Sequence, residues 1–318
     1  MTKPPGPMPR IIRRHVDGVL LMDKPVGLSS TQAMAAAKRL FRAEKAGHTG
    51  TLDPFATGLL PICFGEATKF SRFLLDAEKS YRATIKLGEV SRTGDTEGEI
   101  ILRRDVAVTP AMIDAALRKF VGPQLQTPPM YSALKQNGVP LYKLARQGLE
   151  VPREPRQITV LSISLVAING PELIIDTRVS KGTYIRVLAE NIGEALGCGA
   201  HLTALRRTAT GGFDIAQSIS IEALTGMTEL ERDQCLLQAQ SLCADLAIKV
   251  LNDEDARIFC NGGWLATPFT DATEIDPFAV YADNGRFLGV GEVVLNEATH
   301  GKARLVPMSL MATGANAS

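Results

Sequence analysis

The chain has 318 residues, 45% hydrophobic and 22% charged, with a formal net charge of +1. That length predicts about two domains, and the composition is that of an ordinary soluble globular protein. No apolar run approaches the roughly 20 residues of a membrane-spanning helix. Met1 to Asp17 is rich in Pro and Arg without an apolar export core, so a cytoplasmic protein with no membrane partner is expected. The five cysteines form no Cys-x-x-Cys pair, which argues against a disulfide framework or a zinc ribbon. His15, His48, His201 and His300 are scattered without metal-ligand spacing, so no metal is expected.

Charge is unevenly distributed. Gln217 to His300 carries 14 Asp and Glu against Arg232, Lys249, Arg257 and Arg286, a balance of −10, whereas residues 1–216 carry +9. Such polarity would orient a polyanion onto the first part of the chain. Two solvated faces of unrelated sign are the plain alternative.

In chain order, residues 1–16 read as a flexible basic tail. Gly18 to Pro25 predicts a short buried strand ended by proline. Ser29 with Gln32 forms a capping box for a helix reaching about Arg42. There follows Gly47-His48-Thr49-Gly50-Thr51-Leu52-Asp53-Pro54-Phe55-Ala56-Thr57-Gly58-Leu59-Leu60. Its glycines permit crowded or left-handed backbone, and Pro54 pushes Asp53 into extended geometry. With Leu52, Phe55, Leu59 and Leu60 around it, Asp53 is a candidate nucleophile or base. The competing reading makes Asp53 a helix cap with Pro54 at the first helical position.

Beyond this loop, Ala67, Phe70, Phe73, Leu74 and Ala77 fall on one predicted helical face. A strand follows, with Tyr81, Ala83, Ile85 and Leu87 on one side and Arg82, Thr84 and Lys86 on the other. Thr109-Pro110 opens a helix through Ile113, Leu117, Phe120 and Val121 that Gly122 closes. Residues 124–156 are rich in Pro and Gly, and mix Tyr131 and Tyr142 with Lys135, Lys143, Arg146, Arg153 and Arg156. Cations interleaved with aromatics grip phosphates and stack on bases; an unstructured basic loop is the alternative. Strands at Ile158–Ile168 and Leu173–Val179 and a helix near Tyr184–Leu196 follow. The irregular alternation predicts an α+β fold with a largely antiparallel sheet. No Gly-rich phosphate fingerprint follows a strand, so a nucleotide cofactor has no support. After Ser218 the composition turns acidic. A short helix at Asn252–Gly262 and a hairpin turn at Asp283-Asn284-Gly285 predict a small β-rich domain at 247–310, with a disordered tail at 311–318.

Six blocks of this sequence resemble the TruB-type tRNA pseudouridine synthases, the tRNA pseudouridine-55 synthases. They are Gly18–Ser30 (GVLLMDKPVGLSS), Gly47–Pro61 (GHTGTLDPFATGLLP), Lys79–Gly88 (KSYRATIKLG), Pro128–Gly148 (PPMYSALKQNGVPLYKLARQG), Ser180–Arg186 (SKGTYIR) and Gly197–Arg207 (GCGAHLTALRR). The resemblance implies a pseudouridine synthase fold over 17–246, a mainly antiparallel mixed sheet flanked by helices, with a PUA-like C-terminal domain. It makes Asp53 the catalytic aspartate and Tyr81 the aromatic residue against the target base. It pairs Arg186 with Asp53 and with Asp95. Lys24 and Leu205 shape the pocket, and His48 fills the gap left when the uridine flips out. Residues 124–156 are the insertion that clamps the T-arm, with Lys135, Tyr142, Lys143, Arg146, Arg153, Arg156, Arg206 and Arg207 on the RNA-binding face. The partner is tRNA, at its T-arm and elbow, bound by a monomer, with no cofactor and no metal. Two features depart from the family: Arg92 stands where an acidic residue usually precedes Thr93, and the C-terminal part is acidic. Activities weighed beside the isomerase are a tRNA-folding chaperone and a carboxylate glycosidase. The glycosidase would want a second carboxylate opposite Asp53, and none is near it in sequence.

Overall fold

A computed structural model describes residues 12–266, 277–295 and 303–312. The first strand, β1 (Gly18–Lys24), sends Leu20 and Met22 to one face of a large sheet and Val19 and Leu21 to the other, all buried. Burial on both faces explains why it reads as a continuous apolar run. Helix α1 (Ser30–Leu40) starts with the predicted Ser29–Gln32 capping box. Then come β2 (Ala46–His48), β3 (Thr57–Phe64), α2 (Ser71–Leu75), β4 (Lys79–Leu87), the hairpin β5 (Glu89–Ser91) and β6 (Ile100–Arg103), and α3 (Pro110–Lys119). The segment around residues 124–156 holds β7 (Gly122–Gln126), β8 (Lys135–Gln136), β9 (Val139–Pro140) and α4 (Leu141–Arg146). It is therefore folded, with a tight β8–β9 turn at Asn137 and Gly138, both at positive φ. Strands β10 (Arg156–Asn169) and β11 (Glu172–Val179), helix α5 (Ile185–Ala195) and strand β12 (Ala200–Thr210) complete the frame of the site. Short β13 (Phe213–Asp214), β14 (Ile219–Ser220), α6 (Ile221–Gly226) and α7 (Glu229–Gln234) return the chain to β1.

The sheet runs β14-β1-β3-β12-β4-β11-β10-β7, with β2 on β3 and β13 on β12. Its pairs are antiparallel except β1–β14 and β3–β12, which makes it the expected mixed, mainly antiparallel sheet of an α+β fold. Helices α1, α3, α5 and α6 cover one face through Ala33, Ala37, Ile113, Leu117, Leu188 and Leu224.

On the other face, Phe70, Leu74 and Leu242 pack with Ala279, Phe287 and Val290 of the C-terminal part. That part has β15 (Ala247–Leu251), α8 (Asp253–Cys260), β16 (Leu265–Ala266), β17 (Phe278–Ala282), β18 (Phe287–Leu295) and β19 (Ala303–Leu310), in sheet order β15-β17-β18-β19-β16. The predicted hairpin turn joins β17 to β18 with Gly285 at φ 82°.

Three local expectations need correction. The single helix across Ala67–Ala77 is instead a 3₁₀ turn (Gly65–Lys69) and a short α2, although Ala67, Phe70 and Leu74 are still buried together. Gly122 does not close α3, which ends at Phe120; at φ 110° it opens β7. The tails are partly docked. Arg14 donates to Phe41 O and Asp233, and Val16 is buried. At the other end Met311 N bonds Leu288 O and Ala312 N bonds Glu66 Oε2. Residues 1–11 and 313–318 lie outside the described residues.

Candidate active site and RNA-binding face

The Asp53 loop joins β2 to β3 and is fastened on both sides of the carboxylate. Ser30 Oγ, at the start of α1, accepts from Leu52 N at 2.7 Å and lies 3.1 Å from Leu52 O. Gly27 N donates to Pro54 O at 2.8 Å. Lys24 is fully buried, and its ammonium donates to Leu28 O at 2.6 Å and Pro25 O at 2.9 Å, with Pro54 O at 3.5 Å. Burial pulls that lysine down to about 8, while Asp53 and Glu97 work against the shift. After Asp53 the chain makes a turn, Ala56 N to Asp53 O at 3.1 Å, and enters β3. No helix starts there, so Asp53 is not a helix cap.

The carboxylate meets Arg186, from the first turn of α5. Nη2 of Arg186 stands 3.0 Å from Asp53 Oδ2, and Nε stands 3.5 Å from Asp95 Oδ2. Nη1 donates to Thr93 O at 3.0 Å and Nη2 to Tyr131 O at 2.7 Å. The Arg186 and Asp95 side chains are 4% and 3% exposed and that of Asp53 is 35% exposed, so only the Asp53 end of the triad opens outward. Asp95 is held in turn by Thr93 Oγ1 and Glu97 N. A planar guanidinium with divergent donors is the side chain that can serve two carboxylates and two carbonyls together.

Burial pushes the Asp53 carboxyl above its ordinary value; Arg186 opposes this and Asp95 adds to it. Glu190, one helical turn beyond Arg186 on α5, is also pushed up by burial, and so is Glu97, which feels Asp95 and Asp53 as well. The fold thus gathers acids that are far apart in sequence, although Asp95 is committed to Arg186. Sequence reasoning missed Glu190, Glu97 and the Thr93 and Tyr131 carbonyls. The four-residue spacing of Arg186 and Glu190 was the one local signal, because it puts both on one helix face. Gln126 was missed too: buried at the root of the insertion, it accepts from Tyr184 N at 2.8 Å and donates to Tyr184 O at 3.1 Å, fixing the start of α5.

Tyr81 of β4 and Leu205 of β12, each 8% exposed, share one apolar cluster with Leu52 and Ala56. His48 ends β2; burial, and then the charge of Arg207, push its imidazole below the ordinary value. On the insertion, Lys135, Lys143 and Arg146 are exposed, with the Arg146 guanidinium 5.6 Å from the Tyr142 ring centre. Arg156 is exposed at the start of β10. Arg153 is turned inward to Pro128 O and Glu150. Arg206 is engaged by Asp23 through two bonds of 3.0 and 2.7 Å.

One expectation fails. Arg207 is 1% exposed and donates to Leu59 O and Gly50 O, so it is not on an RNA-binding surface.

Residues 38–185 match the profile described as TruB family pseudouridylate synthase (N terminal domain), and residues 186–247 match tRNA pseudouridylate synthase B C-terminal domain. The chain belongs to the TruB family. Among its relatives is a protein named tRNA pseudouridine synthase B from Methylobacillus flagellatus, 50% identical over 281 residues, or 88% of this chain and 92% of that one. Another of that name, from Neisseria meningitidis serogroup B, is 49% identical over 306 residues, 96% of this chain and 98% of its own. A solved Cbf5-Nop10-Gar1 complex contains a chain similar at TM-score 0.70 and 27% identity, covering 91% of this chain and 83% of that one. The archaeal box H/ACA sRNP Nop10-Cbf5 complex, at TM-score 0.70 and 24% identity, covers 98% of this chain and 92% of that chain and supports the fold.

Within this TruB-family chain the departure at Arg92 is contained. Its guanidinium is exposed and pairs with Glu99 across the β5–β6 hairpin, and no ion pair joins it to Asp53, Asp95 or Arg186 among the described residues.

Proposed function

We propose that this protein isomerises uridine to pseudouridine in tRNA, at the T-loop uridine of position 55, using Asp53 as the catalytic carboxylate. The observation that carries the reading is the buried Arg186 fork joining Asp53 to Asp95, with only the Asp53 end partly exposed. The reaction breaks N1–C1′, turns the base and joins C1′ to C5, so its atoms balance without a second substrate. It needs an ionised carboxylate to attack C1′ or to take a ribose proton. Arg186 favours that ionised form against the burial that raises the acid. Tyr81 and Leu205 form an apolar wall against which the detached uracil can turn.

A uridine reaches this acid only by leaving its stack, at a cost of a few kcal/mol. His48, whose imidazole is pushed below its ordinary value by burial, would occupy the vacated space. The exposed cations Lys135, Lys143, Arg146 and Arg156 supply phosphate contacts that position the arm and carry most of the affinity. Tyr131 O binds the same Arg186 that faces Asp53, so the insertion that grips RNA also touches the catalytic network.

Nucleoside analysis of tRNA incubated with the protein tests the reading. Pseudouridine at position 55 supports it. An abasic site would point to a hydrolase, the reading that Glu97, which feels the charge of Asp53, keeps in view, and an unchanged base with altered folding would point to a chaperone.

A further inference from the structure

Arg207 is the largest side chain fully buried in the described structure. Among the described residues it makes no ion pair with a carboxylate. A buried guanidinium without a counter-ion is costly unless its donors find partners, and here two backbone carbonyls accept from it. Nε donates to Leu59 O at 2.7 Å and Nη2 to Gly50 O at 3.3 Å. Those two carbonyls stand at the opposite ends of the loop that carries Asp53.

The backbone of Arg207 holds the same loop. It pairs in parallel with Gly58 on one side and antiparallel with Tyr81 on the other. The approach to Gly58 is so close that a Cβ there would stand 2.3 Å from Arg207 O, and Gly58 has a φ of 104°. Gly50, at φ 121°, would place a Cβ 3.4 Å from Arg207 Nη1. The two glycines are thus where the loop lies against this arginine.

We propose that Arg207 is a positioning residue of the reaction, a buried clamp that sets the height of the Asp53 loop over Tyr81, and not a contact to RNA. The cation also acts on His48 and Lys24, lowering both, although burial is the larger cause in each. It therefore helps to keep that histidine uncharged beside an RNA backbone.

The inference rests on the isomerase reading, so wild-type protein is assayed alongside. Arg207→Lys keeps the charge but cannot reach two carbonyls in a fork. Its single-turnover rate of pseudouridine formation should fall about 100-fold, the cost of an ångström-scale misplacement, while its tRNA Kd stays within about threefold. Arg207→Ala should regain rate on addition of ethylguanidinium, and its His48 imidazole should titrate higher than in wild type by NMR. Should Arg207→Ala not fold, Arg207→Lys carries the test by itself. Normal turnover by Arg207→Lys, or a loss confined to affinity, would overturn the clamp. An inactive wild-type protein would instead defeat the isomerase reading.

Discussion

Replacing Arg186 by lysine perturbs one charge-bearing fork with four separate acceptors. The guanidinium reaches Asp53 at 3.0 Å, Asp95 at 3.5 Å, Thr93 O at 3.0 Å and Tyr131 O at 2.7 Å. A single ammonium on a lysine stem keeps the charge but cannot span Asp53 and Asp95, which lie against different nitrogens of the fork. At least two charge-assisted bonds disappear, each worth about 1.5–3 kcal/mol. If that loss is felt in the transition state, single-turnover rates fall by about 10² to 10⁴. The assay is release of tritium from tRNA labelled at uridine C5, because the new bond forms at that carbon. Binding measured in parallel should change less than tenfold, since Arg186 is buried and makes no surface contact. A near-normal rate for Arg186→Lys would refute the argument that the two-sided fork sets the carboxylate.

Other outcomes follow from the same geometry. Tyr81→Phe should keep turnover if the ring acts only as a wall and lose it if the hydroxyl relays the C5 proton. Tyr81→Leu should fail either way, and a fully active leucine variant would remove Tyr81 from the site. Changing Lys135, Lys143, Arg146 and Arg156 to alanine should weaken tRNA binding strongly. The same change should flatten the salt dependence by about 0.7 to 0.9 in log–log slope for each phosphate no longer neutralised; an unchanged slope would move the RNA elsewhere. The rate should fall as pH drops through a value above the ordinary 3.8, because Asp53 must be ionised and burial raises it. The linkage has the opposite sign for stability. A carboxyl raised on folding contributes its stability below the unfolded value and loses it as pH rises through the folded one. Thermal melts at neutral pH should therefore find Asp53→Asn no less stable than wild type.

Local patterns carried much of the fold. The alternation of Tyr81 to Leu87 became β4, buried on every second residue, and Ser29 with Gln32 capped α1 as written. Two strands that frame the site were not legible. Strand β3 is buried from Gly58 through Phe64, so it has no alternation to read, and Pro61 interrupts it. The proline is tolerated because its carbonyl takes Thr49 N just where β2 ends, so no ladder bond is asked of its missing N–H. Strand β12 carries two register shifts against β4 that break its period. Asp53 stood out through Pro54 and the glycines around it. Its partners did not, because Asp95 and Arg186 reach Asp53 only through long-range packing and were named by family resemblance alone. Arg207 was misassigned for a related reason: in sequence it is one of two adjacent arginines, and only the sheet shows that Arg206 faces Asp23 while Arg207 is buried beneath the loop.

The central claim is that Asp53 makes this protein a tRNA uridine isomerase, and nucleoside analysis at position 55 with wild type and Asp53→Asn tests it most directly. The amide keeps the shape of the side chain but can neither attack C1′ nor take a proton. Wild type should convert the uridine to pseudouridine, and Asp53→Asn should leave it unchanged while binding tRNA within about tenfold, since phosphate contacts elsewhere carry the affinity. Pseudouridine formed by purified Asp53→Asn, or none formed by wild type, would contradict the account.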